Sequence, residues 1–204
     1  MMIALIDYGA GNLHSVRSAL VKAGADNVHI TSNVDDVARA DKIVLPGVGA
    51  FGACASALRA LDGMEDALNQ RVLHGGVPFL GICVGMQLLA DEGLEFGGAK
   101  GLGWIEGKVR ELDGDARGVK VPHMGWNDVI LSTQNGLIQS GEAYFLHSFH
   151  FDAENPAHII ATTDHGGPLV AAVGRDNILG VQFHPEKSQH YGIEFLSRFL
   201  EWTA

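Results

Sequence analysis

Short, wholly apolar runs alternate with amphipathic stretches through the first half of the chain. Residues 2–6 form one such run, ending in the turn Asp7-Tyr8-Gly9-Ala10-Gly11-Asn12, and predict a buried strand. Val16, Ala19, Leu20 and Ala23 then fall at helical spacing until Gly24 stops the pattern. Residues 28–30 predict a second strand, 34–40 a brief helix, and 42–45 a strand closed sharply by Pro46-Gly47-Val48-Gly49. Residues 53–74 predict one or two helices with a break near Gly63; 77–82 predict a strand and 84–90 a helix. Wholly apolar strands separated by helices belong in a parallel sheet covered on both faces.

The pattern then changes. Residues 101–129, rich in glycine and β-branched side chains, predict hairpins. Residues 143–149, 158–163, 169–173 and 178–183 predict further strands. Residues 192–202 predict a closing helix with Ile193, Leu196, Phe199 and Leu200 on one side. No repeat, low-complexity segment or linker interrupts the chain, so one domain is expected.

Composition narrows the function. With 204 residues, 47% of them hydrophobic, the chain has material for a substantial core. A formal net charge of −10 argues against a general nucleic-acid surface, which needs clustered Lys and Arg. No run approaches a membrane span, and the N-terminus lacks the form of a signal peptide. A chain this size with only two cysteines, Cys54 and Cys83, fits a reducing, cytoplasmic setting.

The densest chemical signal is Gly81-Ile82-Cys83-Val84-Gly85, placed between a predicted strand and a predicted helix. A nucleophile on so sharp a turn needs small neighbours, because side chains two residues away would collide with strand or helix. The turn also sets Cys83 at a helix N-terminus, where the dipole favours a thiolate, and aims the Val84 N–H at a developing oxyanion. A lone Gly-x-Cys-x-Gly also arises by chance, and a free cysteine is most often a small buried hydrophobe. Cys54, in an Ala-rich stretch without the glycines, fits that plainer description.

A thiol nucleophile needs a base held by a third group. His184 follows the apolar run 178–183 and precedes Pro185-Glu186. In extended chain, residues two apart point to one side, and the proline stiffens the link, so Glu186 can orient the His184 ring. Both candidates follow strands directly, where sites form on parallel sheets. The remaining histidines lack metal-ligand spacing.

Together, Gly81-Ile82-Cys83-Val84-Gly85-Met86-Gln87 and Phe183-His184-Pro185-Glu186 resemble the class I, triad-type glutamine amidotransferases. Within that family, four segments are similar to the glutaminase subunits of imidazole glycerol phosphate synthases. They are residues 6–16, Pro122-His123-Met124-Gly125-Trp126-Asn127, Tyr144-Phe145-Leu146-His147-Ser148-Phe149 and His184-Pro185-Glu186-Lys187-Ser188-Gln189. The resemblance implies a single amidotransferase domain over 1–204. Its expected fold is a three-layer α/β arrangement with a mostly parallel central sheet flanked by helices and an added antiparallel sheet in the second half. It implies a triad of Cys83, His184 and Glu186, and an oxyanion site from Val84 with the strand Gly47, Val48 and Gly49. It implies glutamine contacts at Gln87, Glu95 and Ser148. It places Asn12, His123, Met124, Trp126 and Lys187 at a partner interface and ammonia passage. The implied partner is a (β/α)8-barrel cyclase subunit in a heterodimer, supplied with ammonia from glutamine for histidine biosynthesis. No metal, cofactor, nucleic acid or membrane is called for. Phe149 stands where the family often has Tyr, which removes a hydroxyl.

Two other readings stay open at this level. An amidotransferase of the same class could serve another acceptor, such as chorismate or a pyridoxal precursor. A degenerate relative could keep the fold as an interaction module without activity.

Overall fold

Residues 1–133 and 136–203 are described by the computed structural model. In chain order the first half runs β1 (Ile3–Ile6), α1 (Leu13–Lys22), β2 (Val28–Thr31), α2 (Val34–Arg39), β3 (Lys42–Gly47), α3 (Phe51–Arg59) and α4 (Met64–Asn69). It continues with β4 (Phe79–Cys83) and α5 (Val84–Gln87). The second half runs β5 (Glu92–Gly93), β6 (Ala99–Lys100), β7 (Gly107–Glu111), α6 (Gly114–Arg117), β8 (His123–Leu131), β9 (Gly141–His147) and β10 (Phe149–Ala153). It ends with β11 (Ile159–Asp164), β12 (Pro168–Arg175), β13 (Ile178–Val181) and α7 (Gln189–Glu201).

The large sheet has nine strands in the order β2-β1-β3-β4-β13-β12-β11-β8-β9. The pairs from β2 to β13 are parallel, and those from β13 to β9 antiparallel. All residues of β1, β3, β4 and β13 are buried, which is why their sequences carry no alternation. A smaller sheet, β10-β7-β5-β6, is antiparallel except where β5 meets β7. The α/β class and the second sheet are as expected. The antiparallel strands β8, β9, β11 and β12, however, extend the central sheet itself.

Three local expectations are corrected. Residues 101–129 do not form hairpins among themselves: β7 pairs with β10 and β5, whereas β8 pairs with β9 and β11. Side-chain pattern sets strand character but not the partner. The expected strand 143–149 breaks at Ser148, where the chain leaves the large sheet as β9 and enters the small one as β10. The expected helix 84–90 keeps its α form only through Gln87 and then tightens, with Leu89 N–H bonded to Met86 and Ala90 N–H to Gln87. Gly63, at φ +71, makes the predicted break before α4.

Candidate active site

β4 runs between β3 and β13, with Gly47 opposite Cys83 and Gly180 opposite Gly81. Cys83 therefore emerges at the carboxyl ends of the parallel strands, flanked by both neighbours. Its backbone stands at φ 54, ψ −111, a conformation that costs a non-glycine residue about 1–3 kcal/mol. The flanking glycines are sterically required. A Cβ on Gly85 would be driven into the carbonyl oxygen of Leu45, and one on Gly81 would lie 2.5 Å from the Gly85 oxygen. The short α5 leaves few aligned peptides at this turn, so less dipole support reaches Cys83 than a seven-residue helix would give. An imidazole lines the same cavity as Cys83.

That imidazole belongs to His184, just beyond β13. Its backbone N–H donates to Tyr144 O at 2.9 Å, and its carbonyl accepts from the buried Ser188 hydroxyl at 2.7 Å. Ser188 in turn accepts from Tyr144 N at 2.9 Å, locking the segment to β9. Nδ1 of His184 lies 2.9 Å from Glu186 Oε1, with the two side chains 3% and 2% exposed. The carboxylate can only accept, so Nδ1 carries the proton and Nε2 is the proton-transfer atom. Nε2 is buried and meets hydrogen-bond geometry with no described residue. Burial alone would lower the His184 pKa, but the facing Cys83 thiol and the Glu186 carboxylate outweigh it and raise it.

Cys83 and His184 open into a cavity of about 340 Å³, also lined by Val48, Gly49, Val84, Gln87, Glu95, Ser148 and Lys187. Thus the structure brings together the expected triad, oxyanion and glutamine-contacting positions. Gly47 lies beneath, buried opposite Cys83. The amide N–H groups of Gln87 go to Phe149 O (3.1 Å) and Gln182 Oε1 (3.0 Å), so its carbonyl oxygen is the atom offered to a ligand. Glu95 Oε2 accepts from Phe51 N at 2.7 Å, tying it to the start of α3.

The expected interface positions divide. Burial along β8 alternates, so Met124 (65% exposed) and Trp126 (46%) face outward while His123 (3%) faces inward. His123, expected at the partner interface and ammonia passage, is buried. Its Nδ1 lies 2.9 Å from His147 Nε2, and His147 Nδ1 donates to Phe149 O at 2.8 Å. Lys187 sits at the cavity, 5.7 Å over the Tyr144 ring. Asn12 is exposed at the start of α1 and is not among the residues lining the cavity.

Sequence reasoning missed three contributors. Gln182 is fully buried, with Nε2 3.6 Å from Cys83 Sγ. A wholly polar amide inside the apolar run 178–183 was the available signal. Ser188, and Tyr8, whose hydroxyl donates to Pro46 O at 2.7 Å, gave no signal of their own, because these contacts are tertiary. Among the described residues no group of three or more His, Cys, Asp or Glu is arranged to hold a metal ion. Nor is any helix among them long and apolar enough to cross a membrane.

A family model described as "Glutamine amidotransferase class-I" matches residues 4–202. Imidazole glycerol phosphate synthase subunit HisH of Zymomonas mobilis is 60% identical over 98% of this chain and 96% of its own length. The subunit of the same name from Ruegeria pomeroyi is 48% identical over the full length of both chains. Among solved structures, a glutamine amidotransferase superposes with a TM-score of 0.77 at 22% identity, covering 98% of each chain. PurLQS from Thermotoga maritima superposes with a TM-score of 0.73 at 18% identity, covering 98% of this chain and 95% of that one. At such identities the structures speak for the fold, and the sequence relatives for the family.

Proposed function

The chain belongs to the glutamine amidotransferase class-I family, and on that premise we propose that Cys83, His184 and Glu186 release ammonia from glutamine. The chain is the glutaminase subunit of imidazole glycerol phosphate synthase, an enzyme of histidine biosynthesis, as its full-length agreement with subunits so named supports. The single observation that carries the catalytic assignment is the Glu186-held imidazole facing a thiol on a positive-φ elbow.

The thiolate of Cys83 attacks the side-chain amide carbon of glutamine. The oxygen becomes an oxyanion, received by the Val84 N–H and by amides of the strand Gly47, Val48 and Gly49. The imidazolium of His184 gives its Nε2 proton to the departing nitrogen, so ammonia leaves and a glutamyl thioester remains. Neutral His184 then takes a proton from water, which attacks the thioester. Thiolate and glutamate are released. Glu186 keeps Nδ1 protonated throughout and stabilises the charged ring. Gln87, Glu95 and Ser148 hold the glutamine head group; their place around the cavity supports this.

The ammonia goes to a cyclase partner. We assign that partner as a (β/α)8-barrel subunit in a heterodimer, docked where Met124 and Trp126 expose apolar surface and Asn12 and Lys187 flank the passage. Trp and Met are side chains that interfaces favour. His123 contributes through His147 beneath that surface. The chain acts as one amidotransferase domain over 1–204, and the one core that its described residues form supports this. The two free, buried thiols fit a cytoplasmic setting.

A chloroketone analogue of glutamine tests the assignment on the assembled complex. It should leave one adduct, on Cys83, and excess glutamine should protect against it. An adduct on Cys54 instead, or none, would contradict the assignment.

A further inference from the structure

Tyr8 and Cys54 carry two donors that the reaction above does not use. Both are buried, 5% and 2% exposed. Tyr8 follows β1, and its hydroxyl donates to Pro46 O at 2.7 Å. Cys54 lies in α3, and its thiol donates to Val48 O at 3.4 Å, within the longer reach of sulfur. The accepting carbonyls alternate along the segment 46–49, the segment that borders the nucleophile.

In a trans peptide the C=O and the following N–H point to opposite sides of one plane. Holding the Pro46 carbonyl therefore fixes where the Gly47 N–H points. Holding the Val48 carbonyl toward α3 fixes the Gly49 N–H on the opposite side. Gly49, at φ +104, lines the cavity with Cys83. There is no slack beneath the segment. A Cβ on Gly47 would lie 2.7 Å from the Tyr8 hydroxyl, 2.8 Å from Gly85 N and 2.9 Å from Val84 Cβ. The phenol, the strand and the start of α5 are packed in direct contact. Both donors also keep their protons. Burial first, then the neighbouring Cys54 and Cys83, pushes the Tyr8 pKa up, and burial pushes the Cys54 thiol up.

We propose that Tyr8 and Cys54 are positioning residues for the oxyanion strand, fixing its peptide planes from the side away from substrate. The proposal rests on the glutaminase reading of the site and adds what holds that site's backbone donors in aim. A phenol and a thiol that only filled space would tolerate removal of the donor atom without change in the chemistry.

The test uses the assembled complex with Tyr8→Phe, Cys54→Ala and the double variant. Glutamine hydrolysis is compared with alkylation of Cys83 by iodoacetamide. Alkylation displaces iodide at a saturated carbon and develops no oxyanion. Tyr8→Phe should lower kcat for glutamine about tenfold, with KM within about twofold, because small misplacements of donors are costly. Cys54→Ala should lower kcat about threefold, in keeping with a weaker sulfur donor. The double variant should fall below either. Alkylation of Cys83 and ammonia-dependent synthesis should be unchanged. Unaltered kcat in all variants, a loss carried by KM, or an equal loss of alkylation would overturn the proposal. Should Tyr8→Phe not assemble, Cys54→Ala decides by the same criteria. Absence of glutamine hydrolysis in the unsubstituted complex would overturn the glutaminase reading itself, and the anchors with it.

Discussion

In β1, β3, β4 and β13 every residue is buried, whereas along β8 burial alternates and Met124, Trp126 and Ile130 are left exposed. The two halves of one sheet thus treat apolar side chains in opposite ways. In β1, β3, β4 and β13 both faces are covered, and the ends of β4 and β13 set Cys83 and His184 side by side. The outer antiparallel strands β8 and β9 keep one face open, whereas β12, beside β13, is buried between its two end residues. The antiparallel half supplies the edge that passes from β9 through Ser148 to β10, and with it Ser148, Met124 and Trp126 among the residues assigned to glutamine and partner. A rigid half holds the reacting groups, and a half-open one presents surface to other molecules.

The sharpest way to break this division is Cys83→Ala. In the assembled complex, glutamine-dependent synthesis should fall by at least ~10⁴-fold. Ammonia-dependent synthesis should survive, since the proposed division puts the acceptor chemistry on the partner. Loss of both in a folded complex would mean that the parallel half does more than release ammonia. Next comes Glu186→Gln, which removes the charge that stabilises His184 and should lower kcat for glutamine by on the order of 10². An unchanged kcat would leave the His184–Glu186 contact without a catalytic role.

The other half is probed by Trp126→Ala. The Kd for the cyclase should rise roughly 30-fold, about 2 kcal/mol, while turnover at saturating partner stays the same. Altered turnover with unaltered affinity, read by titrating glutaminase activity with cyclase, would place Trp126 in the chemistry instead.

The smallest effect concerns acid stability. Burial, and then His165, lowers the His123 pKa to about 4; burial lowers that of His147 to about 3. Unfolded histidine titrates near ~6.5, so as pH falls the unfolded chain takes up these protons first. The stabilisation is present in full above about 6.5 and is lost progressively as pH falls toward the folded values. Urea midpoints should decline across that window, and less steeply in His123→Asn/His147→Asn. Equal slopes would show that the buried pair is not what titrates.

The parallel half was nearly all legible in the sequence. Wholly apolar runs mark doubly covered strands, and Gly81, Gly85 and Pro185 are demanded by local geometry that any reader of the chain can reconstruct. The antiparallel half was not. The pairing of β7 with β10 is set by contacts far apart in the chain, and the break at Ser148 has no glycine or proline to announce it. The inward turn of His123 depends on strand phase, which one shifted residue would reverse. Gln182, Ser188 and Tyr8 became functional candidates only when folding set them against Cys83, His184 and Pro46.

The most direct test of the central claim is glutamine hydrolysis by the chain alone, with the cyclase, and with the cyclase plus its bound substrate. Weak turnover alone and strong stimulation by partner and substrate together is the predicted result. Equal turnover in all three conditions would contradict the assignment of this chain as the glutaminase subunit of a coupled synthase.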